Sequence, residues 1–424
     1  MVKRIEPDIH AFKTKALHWA NTFDTACYLD SNGYTDLYGK YQVLIAAGAQ
    51  QQTSSGSFQA LKDFLQDQSD RWCFGFFAYD LKNEIEDLGS ANEDHLGFPD
   101  LYFFAPEHLL IINGSEVHIL SAKAEEVYQK IMDIGLPAVN RVNLITPVCS
   151  RFSREEYVRS VRQIKDHITR GDIYVTNFCQ EFYTENSVVN PLQTFRTLNN
   201  ISPNPQAAYF KMGDRYIISA TPERFLAKRG SKLISQPIKG TAARGLNAID
   251  DDRAKTQLRE LPKEQQENVM IVDLVRNDLA RAAKPGTVQV ESLFDVQSFK
   301  QVHQMISTVT CEIGNGISPV DAIRSAFPMG SMTGAPKLRA MQLMEQFERS
   351  KRGVYSGAIG YFSPDGDFDF NVVIRTLLYN AEKRYLSFHV GSAITFDADP
   401  EKEYDECLLK AKAILEVLDQ KVSS

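Results

Sequence analysis

A lysine near the middle of the chain has the surroundings that covalent or acid–base chemistry needs. Lys239 lies in QPIKGTAARG, between a predicted strand and a glycine-containing turn, where small residues let a ligand approach the backbone closely. If this lysine is partly buried, desolvation lowers the pKa of its ammonium group, and the free amine can act as a nucleophile or a base. An ordinary exposed loop lysine is the alternative interpretation of the same residues.

Two pairs of glutamates have a spacing that places both carboxylates on one face of a helix. Glu264 and Glu267 are three residues apart, and so are Glu403 and Glu406, with Lys410 four residues further on. If two such helices converge, the carboxylates could bind a hard divalent cation, with water at its remaining positions. Taken alone, each pair also fits a solvated helix face.

Two further segments could bind an anion. FPMGSMTGAPK runs from a loop rich in glycine and hydroxyl groups into an amphipathic helix, with Pro336 suited to the first turn, and free backbone N–H groups there favour a carboxylate. Arg375 lies in the predicted strand VVIRTLLY among apolar residues, so its guanidinium requires an anionic partner. That partner is either a substrate carboxylate or an internal acid. His303 and Tyr355 carry no functional signal by themselves.

The elements that must position these residues follow from the apolar pattern. Alternating apolar pieces between Cys27 and His118 predict a β-rich first part. After residue 150 the pattern changes, because Ser153 and Glu156 form a capping box at the start of a helix that Gly171 closes. We therefore place a boundary there, with an amino-terminal region over 1–150 and a catalytic region over 151–424.

The second region combines strands with helices. YIISA, FLAKR and KLISQ read as strands joined by short turns, which predicts antiparallel pairing. The turn Pro364–Gly366 separates two more strands, RYLSFHVG forms another, and a helix starts at about Glu401. Strands connected by hairpins favour an α+β fold over a doubly wound parallel sheet.

Composition excludes several classes of function. With 47 Lys and Arg against 54 Asp and Glu, the net charge is -7, so general attraction to nucleic acid is not expected. The longest apolar stretches are far shorter than a bilayer span, and the start MVKRIEPDIH has no apolar core of a signal peptide, so we expect a cytoplasmic protein that does not enter a membrane. Six cysteines without CxxC spacing are predicted to be buried thiols.

The motifs, taken together and in order, resemble the chorismate-utilising enzyme family. They are SATPERF, PIKGT, ENVMIVDLVRNDLAR, FPMGSMTGAPK, RGVYSGAIGYF, NVVIRTL and ADPEKEYDECLLKA, and the match covers essentially residues 151–424. Weaker similarity extends through CYLDSNGY and WCFGFFAYDL. The resemblance implies an α/β sandwich of antiparallel β-sheets with outer helices, and one site that binds chorismate with Mg²⁺.

The resemblance also implies a role for each matching residue. Glu267 and Glu406 would be the principal magnesium ligands, with Glu264 and Glu403 nearby or bound through water. The residues that it places around chorismate are His303, Ser331, Thr333, Tyr355, Arg375, Gly391, Ser392 and Lys410. Tyr355 and Arg375 would hold one substrate carboxylate, and Lys410 would balance charge near the metal.

Lys239 decides which branch of the family the chain resembles. PIKGT is typical of the aminodeoxychorismate synthase branch, whereas anthranilate and isochorismate synthases usually carry alanine at this position. The implied reaction is attack of Lys239 on C2 of chorismate as the C4 hydroxyl leaves, followed by entry of ammonia at C4. Glu223 in TPERF would protonate the hydroxyl. The implied partner is a separate glutaminase subunit that supplies ammonia for para-aminobenzoate and folate biosynthesis, since no glutaminase nucleophile elbow is evident in the chain.

Several positions depart from the family pattern. Val175 stands where isochorismate synthases have a water-activating lysine and aminating relatives a glutamine, Ala242 replaces an arginine, and Ala393 replaces a glycine. Asp30 in YLDS stands where glutamate is common in relatives with a tryptophan pocket. Two alternatives therefore stay open: anthranilate synthase component I, which Lys239 opposes, and a non-catalytic regulatory protein, which the retained acids oppose.

Overall fold

The computed structural model describes residues 2–136, 144, 146–420 and 422–423. The strands in these ranges are β1 (Val2–Ile5), β2 (Thr25–Asp30), β3 (Val43–Thr53), β4 (Cys73–Phe77), β5 (Leu101–Asn113), β6 (Glu116–Leu120), β7 (Val148–Ser150), β8 (Val175–Thr184), β9 (Ala207–Met212), β10 (Arg215–Ser219), β11 (Arg224–Arg229), β12 (Lys232–Gln236), β13 (Ile238–Ala243), β14 (Gln289–Ser298), β15 (Val302–Glu312), β16 (Gly334–Ala335), β17 (Ala358–Phe362), β18 (Phe368–Asn371), β19 (Thr376–Asn380), β20 (Tyr385–Ile394) and β21 (Val422–Ser423). The α-helices are α1 (Ile9–Ala20), α2 (Phe58–Asp67), α3 (Lys82–Ile85), α4 (Ala124–Met132), α5 (Arg154–Thr169), α6 (Pro191–Ile201), α7 (Ala248–Glu260), α8 (Pro262–Ala280), α9 (Pro319–Ala326), α10 (Lys337–Phe347) and α11 (Pro400–Leu418). Short 3₁₀ turns span Tyr79–Leu81 and Gly330–Met332.

The strands form two antiparallel layers that share β5. The first layer has the order β6-β5-β3-β2-β9-β10-β19-β20-β8. The second layer leaves β5 through β4, β17, β18, β11, β12 and β15, and β13 and β14 both pair with β15. Pairing is antiparallel throughout the described chain except between β7 and β21. This confirms the predicted α+β sandwich of antiparallel sheets.

Aromatic side chains fill the space between the two layers. Phe210 in β9 contacts Phe76 in β4, with ring centroids 5.4 Å apart and the rings edge to face. Helices cover the outer surface of the first layer, where Tyr157 in α5 packs against Phe178 in β8 and Tyr404 in α11. Burial of this apolar surface stabilises the sandwich, since each fully buried aromatic side chain contributes roughly 1.5–3 kcal/mol.

Strands from both sides of residue 150 pair directly. β2 pairs with β9, and β4 pairs with β17. The predicted regions 1–150 and 151–424 therefore contribute to one continuous sheet, and their separation as regions stays a prediction about the sequence.

No helix in the described ranges is both long and apolar enough to span a bilayer. All six cysteines are free, and five are buried as predicted, whereas Cys149 is only half-buried.

The local predictions were mostly confirmed, with two corrections. Ser153 caps α5 through a capping box with Glu156, and Gly171 follows the helix with φ +82°. YIISA and FLAKR do form strands, but β10 pairs with β9 and β19 rather than with β11. The chain passes between the layers in residues 220–223, after β10 and before β11, so the two strands belong to different layers.

Arg375 does not lie in a strand, and that prediction was wrong. β18 of the second layer ends at Asn371, β19 of the first layer begins at Thr376, and Arg375 between them has φ +51°. Residues 372–375 are thus a second crossing between the layers. Apolar residues with β propensity fill this crossing because it passes through the core, so local pattern alone does not distinguish it from a strand.

Candidate active site

The two layer crossings lie side by side and bring two predicted site residues together. The Val372 N–H donates to the Glu223 carbonyl at 2.9 Å, and the Ala220 N–H donates to the Arg375 carbonyl at 3.2 Å. Glu223 and Arg375 therefore sit on paired segments, and each charge is close enough to shift the pKa of the other side chain. The position between the two layers buries Glu223 almost completely and Arg375 in part.

Glu223 has the properties of a general acid near neutral pH. Its side chain is almost fully buried. Desolvation raises the pKa of its carboxyl group from 4.5 to about 7, although hydrogen bonds from Ser331 and the Ile238 N–H, and the positive charges of Lys239 and Arg375, act in the opposite direction. A group with this pKa can donate a proton and later accept one at physiological pH.

Arg375 carries a positive charge that forms no ion pair with an acidic side chain of the described residues, although Glu223 lies near enough to shift its pKa. Burial lowers the pKa of its guanidinium to about 10, and Glu223 opposes that shift. Within the described residues, no acidic side chain forms an ion pair with Arg375. Of the two partners considered from sequence, this arrangement favours an external carboxylate, because a buried guanidinium without a counter-ion is costly.

Lys239 lies inside β13 rather than between a strand and a turn. Burial lowers the pKa of its ammonium group below the ordinary value of 10.5, the charge of Lys410 lowers it further, and Glu267, Glu223 and Glu406 oppose the shift. The lysine is half-buried. Its amine therefore lies near both Glu223 and the glutamates of α8 and α11. A lysine with a lowered pKa beside a proton donor can act as a nucleophile.

The helices α8 and α11 come together at Lys263, a convergence that the glutamate spacing alone left open. Lys263 in α8 lies between them, with Nζ 3.7 Å from Glu267 and 3.8 Å from Glu403. The Glu264 carboxylate approaches β13 closely, since a Cβ added at Gly240 would lie 3.1 Å from its Oε2. Gly240 also has φ +96°, so both the close contact and the backbone conformation require glycine there.

Lys410 and the end of β20 organise the second glutamate pair. Lys410 forms an ion pair with Glu406 at 2.8 Å and donates to the Gly391 carbonyl at 2.8 Å. Ser392 donates a hydrogen bond to the Glu403 carboxylate. A Cβ at Gly391 would lie only 2.7 Å from the Cys179 sulfur, so this strand position is closed to larger residues. α11 is therefore fixed against β20 at two points.

The chemistry of this acidic cluster fits a hard divalent cation. Desolvation raises the pKa of Glu264, Glu267 and Glu403, and repulsion from neighbouring carboxylates adds to the increase at each of them, whereas Lys410 helps to lower the pKa of Glu406. Such a set of oxygen donors is the type that Mg²⁺ prefers. Within the described ranges, no three acidic, histidine or cysteine side chains stand close enough to form a metal site without rearrangement.

Tyr355 is buried and is held in position by contacts of its ring and of the turn that follows it. Its ring stacks on His389 with centroids 5.1 Å apart. Val373 N–H donates to Gly357 O at 2.8 Å, which ties the turn after Tyr355 to the crossing that carries Arg375. The predicted carboxylate-binding pair therefore stands on two connected segments, although the structure gives no direct contact between the two side chains.

Ser331 and Thr333 belong to the loop before α10. Ser331 lies near enough to Glu223 to lower the pKa of its carboxyl group, whereas the Thr333 hydroxyl donates to the Met329 carbonyl at 3.2 Å and is turned into its own loop. The ring nitrogens of His303 also have hydrogen-bond partners within the protein. Its ring nitrogens contact Ser298 at 2.8 Å and Asp251 at 2.9 Å, and the side chain is buried. Ser331 thus joins the cluster, while the polar atoms of the other two are used within the protein.

The departures from the family pattern are accommodated without strain. Val175 is buried at the start of β8 and pairs with Ala335, so this position supplies no base. Ala393 lies in β20 without the positive φ that would require glycine, so its methyl group is tolerated. Ala242 packs against a small apolar cluster around Leu258 and Met305.

A separate cavity of about 240 Å³ is lined by residues of both the amino-terminal and the catalytic region. Asp30, Arg224 and Asp369 are among its walls. The Asp30 carboxylate already accepts hydrogen bonds from the Tyr28 hydroxyl at 2.6 Å and the Asn32 N–H at 2.8 Å, and it pairs with Lys13 at 2.8 Å. Whether the amino-terminal region binds tryptophan, as in some relatives, was left open by the sequence and stays open for this cavity.

Sequence reasoning missed two charged residues that organise the site. Lys263 was detectable, because it stands four residues before Glu267 on the same helix. Arg352 was not, since nothing local shows that RGVYSG buries its arginine. All five of its N–H groups are used: two bind Glu348 at 2.7 and 2.9 Å, and others bind the carbonyls of Met332 and Asn177 at 2.7 and 2.8 Å, with a weaker bond to a serine hydroxyl.

Comparisons with known proteins place the chain in one enzyme family. Residues 24–416 match the sequence profile described as "chorismate binding enzyme". A probable aminodeoxychorismate synthase from Oryza sativa is 36% identical over 82% of this chain, which spans 43% of that protein's length. Anthranilate synthase component 1 from Thermus thermophilus is 34% identical over 81% of this chain and 77% of its own.

A solved structure gives the same result for the fold. Anthranilate synthase component I from Streptococcus pneumoniae superposes with a TM-score of 0.76 at 25% identity, over 89% of this chain and 93% of that one. Relatives named for two different aminating reactions are therefore similar to this chain to nearly the same degree.

Proposed function

The chain belongs to the chorismate-binding enzyme family, and from that premise we propose that it aminates chorismate at C4 to give 4-amino-4-deoxychorismate. The ammonia would come from a separate glutaminase subunit. One observation carries the proposal: Lys239, with a lowered amine pKa, stands next to Glu223, whose carboxyl pKa is about 7. Direct attack of ammonia at C2, as in anthranilate formation, would leave this lysine without a role.

The chemistry assigned to these residues consists of two displacements. In the first, the neutral Lys239 amine forms a bond to C2 while protonated Glu223 gives its proton to the C4 hydroxyl, which leaves as water. In the second, ammonia forms a bond to C4 and the lysine leaves as a neutral amine. Glu223 then takes back a proton from the new ammonium group, which restores both side chains to their starting states.

Charged residues around this pair would hold the substrate in position. Arg375 is the group proposed for one carboxylate of chorismate, because its guanidinium has no acidic partner within the described chain. Glu264, Glu267, Glu403 and Glu406 are the residues proposed to hold Mg²⁺, which when bound would neutralise the second carboxylate. The Lys263 side chain would have to move from between the two helices when the metal binds. Calorimetry tests the proposed metal ligands, because chorismate should bind with a different affinity when Mg²⁺ is present.

Trapping of the covalent intermediate tests the proposal. When the protein is incubated with chorismate and Mg²⁺ without ammonia, intact-mass and peptide mass spectrometry should find an adduct on Lys239. The Lys239→Ala variant should form no adduct, and its C4 amination should fall by about a thousandfold or more. Unchanged amination at C4 in that variant would overturn the covalent role.

Anthranilate synthesis is the second candidate, and the 34% identity to the Thermus enzyme favours it. That reaction places the amino group at C2 and releases pyruvate. Detection of anthranilate with the wild-type chain would select it over the leading proposal, whatever the fate of Lys239.

A further inference from the structure

The proposed amination requires exchange of one small molecule beside Glu223, and the following inference rests on that proposed function. The C4 hydroxyl leaves as water, and ammonia must then reach the same carbon. Both events occur where Glu223 transfers its proton. Space for one molecule next to this carboxyl group, on the side away from the bulky substrate, would serve that exchange.

Such a space is present behind Glu223. It is a small cavity of about 10 Å³ between α8, the end of α9 and strands β11 and β12. This volume suits a single molecule of the size of water or ammonia. Most of the wall is apolar, with Val275 and Leu279 from α8, Ala326 from α9, and Met329 and Val372 from the loops.

The polar groups of the cavity suit a hydrogen-bond donor. Glu223 and Asp278 both line it and are each only 4% exposed. Arg224 and Ser235 also line it, but the Arg224 guanidinium donates to Asp369 at 2.9 Å and the Ser235 hydroxyl to the Phe225 carbonyl at 2.7 Å. Lys337 binds Oδ1 of Asp278 at 2.6 Å, while the described residues provide no hydrogen bond to the second oxygen of this carboxylate. Ser331 adds a hydroxyl beside Glu223. A molecule with several N–H groups can donate to these oxygens, whereas an anion would be repelled by them.

We propose that this cavity is the ammonia site of the enzyme, with Asp278 and Glu223 as acceptors of its N–H groups. Ammonia bound there lies on the Glu223 side of the substrate and forms its bond to C4 while the Lys239–C2 bond breaks. The C4 ammonium group returns one proton to Glu223. The water that left C4 occupies the same space beforehand, so no additional reactant is needed.

Narrowing the cavity by one methyl group tests the proposal with little change elsewhere. Val275→Ile adds that group at the wall, and Val272→Ile is the matched control, because Val272 is buried on the same helix but does not line the cavity. With the full chain, chorismate, Mg²⁺ and ammonium chloride, Val275→Ile should raise the KM for ammonium by about fivefold or more. The KM for chorismate should stay within about twofold, and the control should match the wild type.

A second variant covers the case in which added bulk disturbs folding. Val275→Ala enlarges the space, so it should accept methylamine, which the wild-type cavity excludes, and give a product heavier by one CH₂ group. An ammonium KM in Val275→Ile no higher than in Val272→Ile, together with no methylamine product from Val275→Ala, would overturn the ammonia site. A wild-type chain that gives no C4-aminated product would instead overturn the proposed function, so the two failures are distinguishable.

Discussion

Replacement of Glu223 by glutamine should make the protein more stable at alkaline pH while it abolishes amination. The carboxyl pKa is raised from 4.5 to about 7 in the folded chain. Folded protein therefore binds this proton more tightly than unfolded protein, and the contribution of Glu223 to the free energy of unfolding falls as pH rises between these two values. At about 1.4 kcal/mol for each tenfold change in proton affinity, ionised Glu223 costs about 3 kcal/mol above pH 7.

Glutamine has nearly the same shape as glutamate but cannot ionise, so the Glu223→Gln variant does not have this pH-dependent cost. For a chain of 424 residues the unfolding entropy is roughly 0.9 kcal/mol/K, so the difference corresponds to about 3 °C in Tm.

Thermal unfolding of wild type and variant, measured from pH 4.5 to pH 8.5, tests this prediction. The Tm of Glu223→Gln minus that of the wild type should increase by about 3 °C across the range, whatever its starting value. Glu93→Gln is the control for loss of one surface charge, since Glu93 has a side chain that is 79% exposed. A difference that does not change with pH, or that decreases, would refute the raised pKa and with it the acid role of Glu223.

Two arginines give further predictions. Arg352→Lys removes hydrogen-bond donors from the buried carbonyls of Met332 and Asn177, so the free energy of unfolding should fall by about 3 kcal/mol. Thermal unfolding measures this change, and an unchanged Tm would show that the hydrogen bonds of Arg352 do not stabilise the protein. Arg375→Lys replaces a guanidinium that can bind a carboxylate with two parallel hydrogen bonds, so the KM for chorismate should rise about tenfold with a smaller change in kcat. Steady-state kinetics measures both constants, and an unchanged KM would remove Arg375 from substrate binding.

The sequence predicted that each glutamate pair shares one helix face, because helical spacing is local information. Glu264 and Glu267, and likewise Glu403 and Glu406, are three residues apart, which already determines that each pair shares a helix face. The convergence of α8 and α11 is not local, and it followed only from the family resemblance. Lys263 between the helices was missed because a lysine on an exposed helix face is usually solvated.

The layer crossings show what local pattern could not supply. VVIRTLLY has the composition of one strand, yet Arg375 lies at a positive φ between a strand of one layer and a strand of the other. The pairing partner of a strand depends on residues far away in the chain, so the apolar periodicity of the strand itself does not predict that partner. The same limit explains why β10 and β11 were expected to pair. Glu223 and Arg375 lie on paired segments in the structure, and the reason for their proximity is visible only there.

Identification of the product tests the central claim most directly. The purified chain would be incubated with chorismate, Mg²⁺ and an ammonium salt, and the products would be separated and analysed by mass spectrometry and fluorescence. The account predicts an aminated product that keeps the enolpyruvyl group and that an added lyase converts to 4-aminobenzoate. Fluorescent anthranilate with release of pyruvate would contradict it.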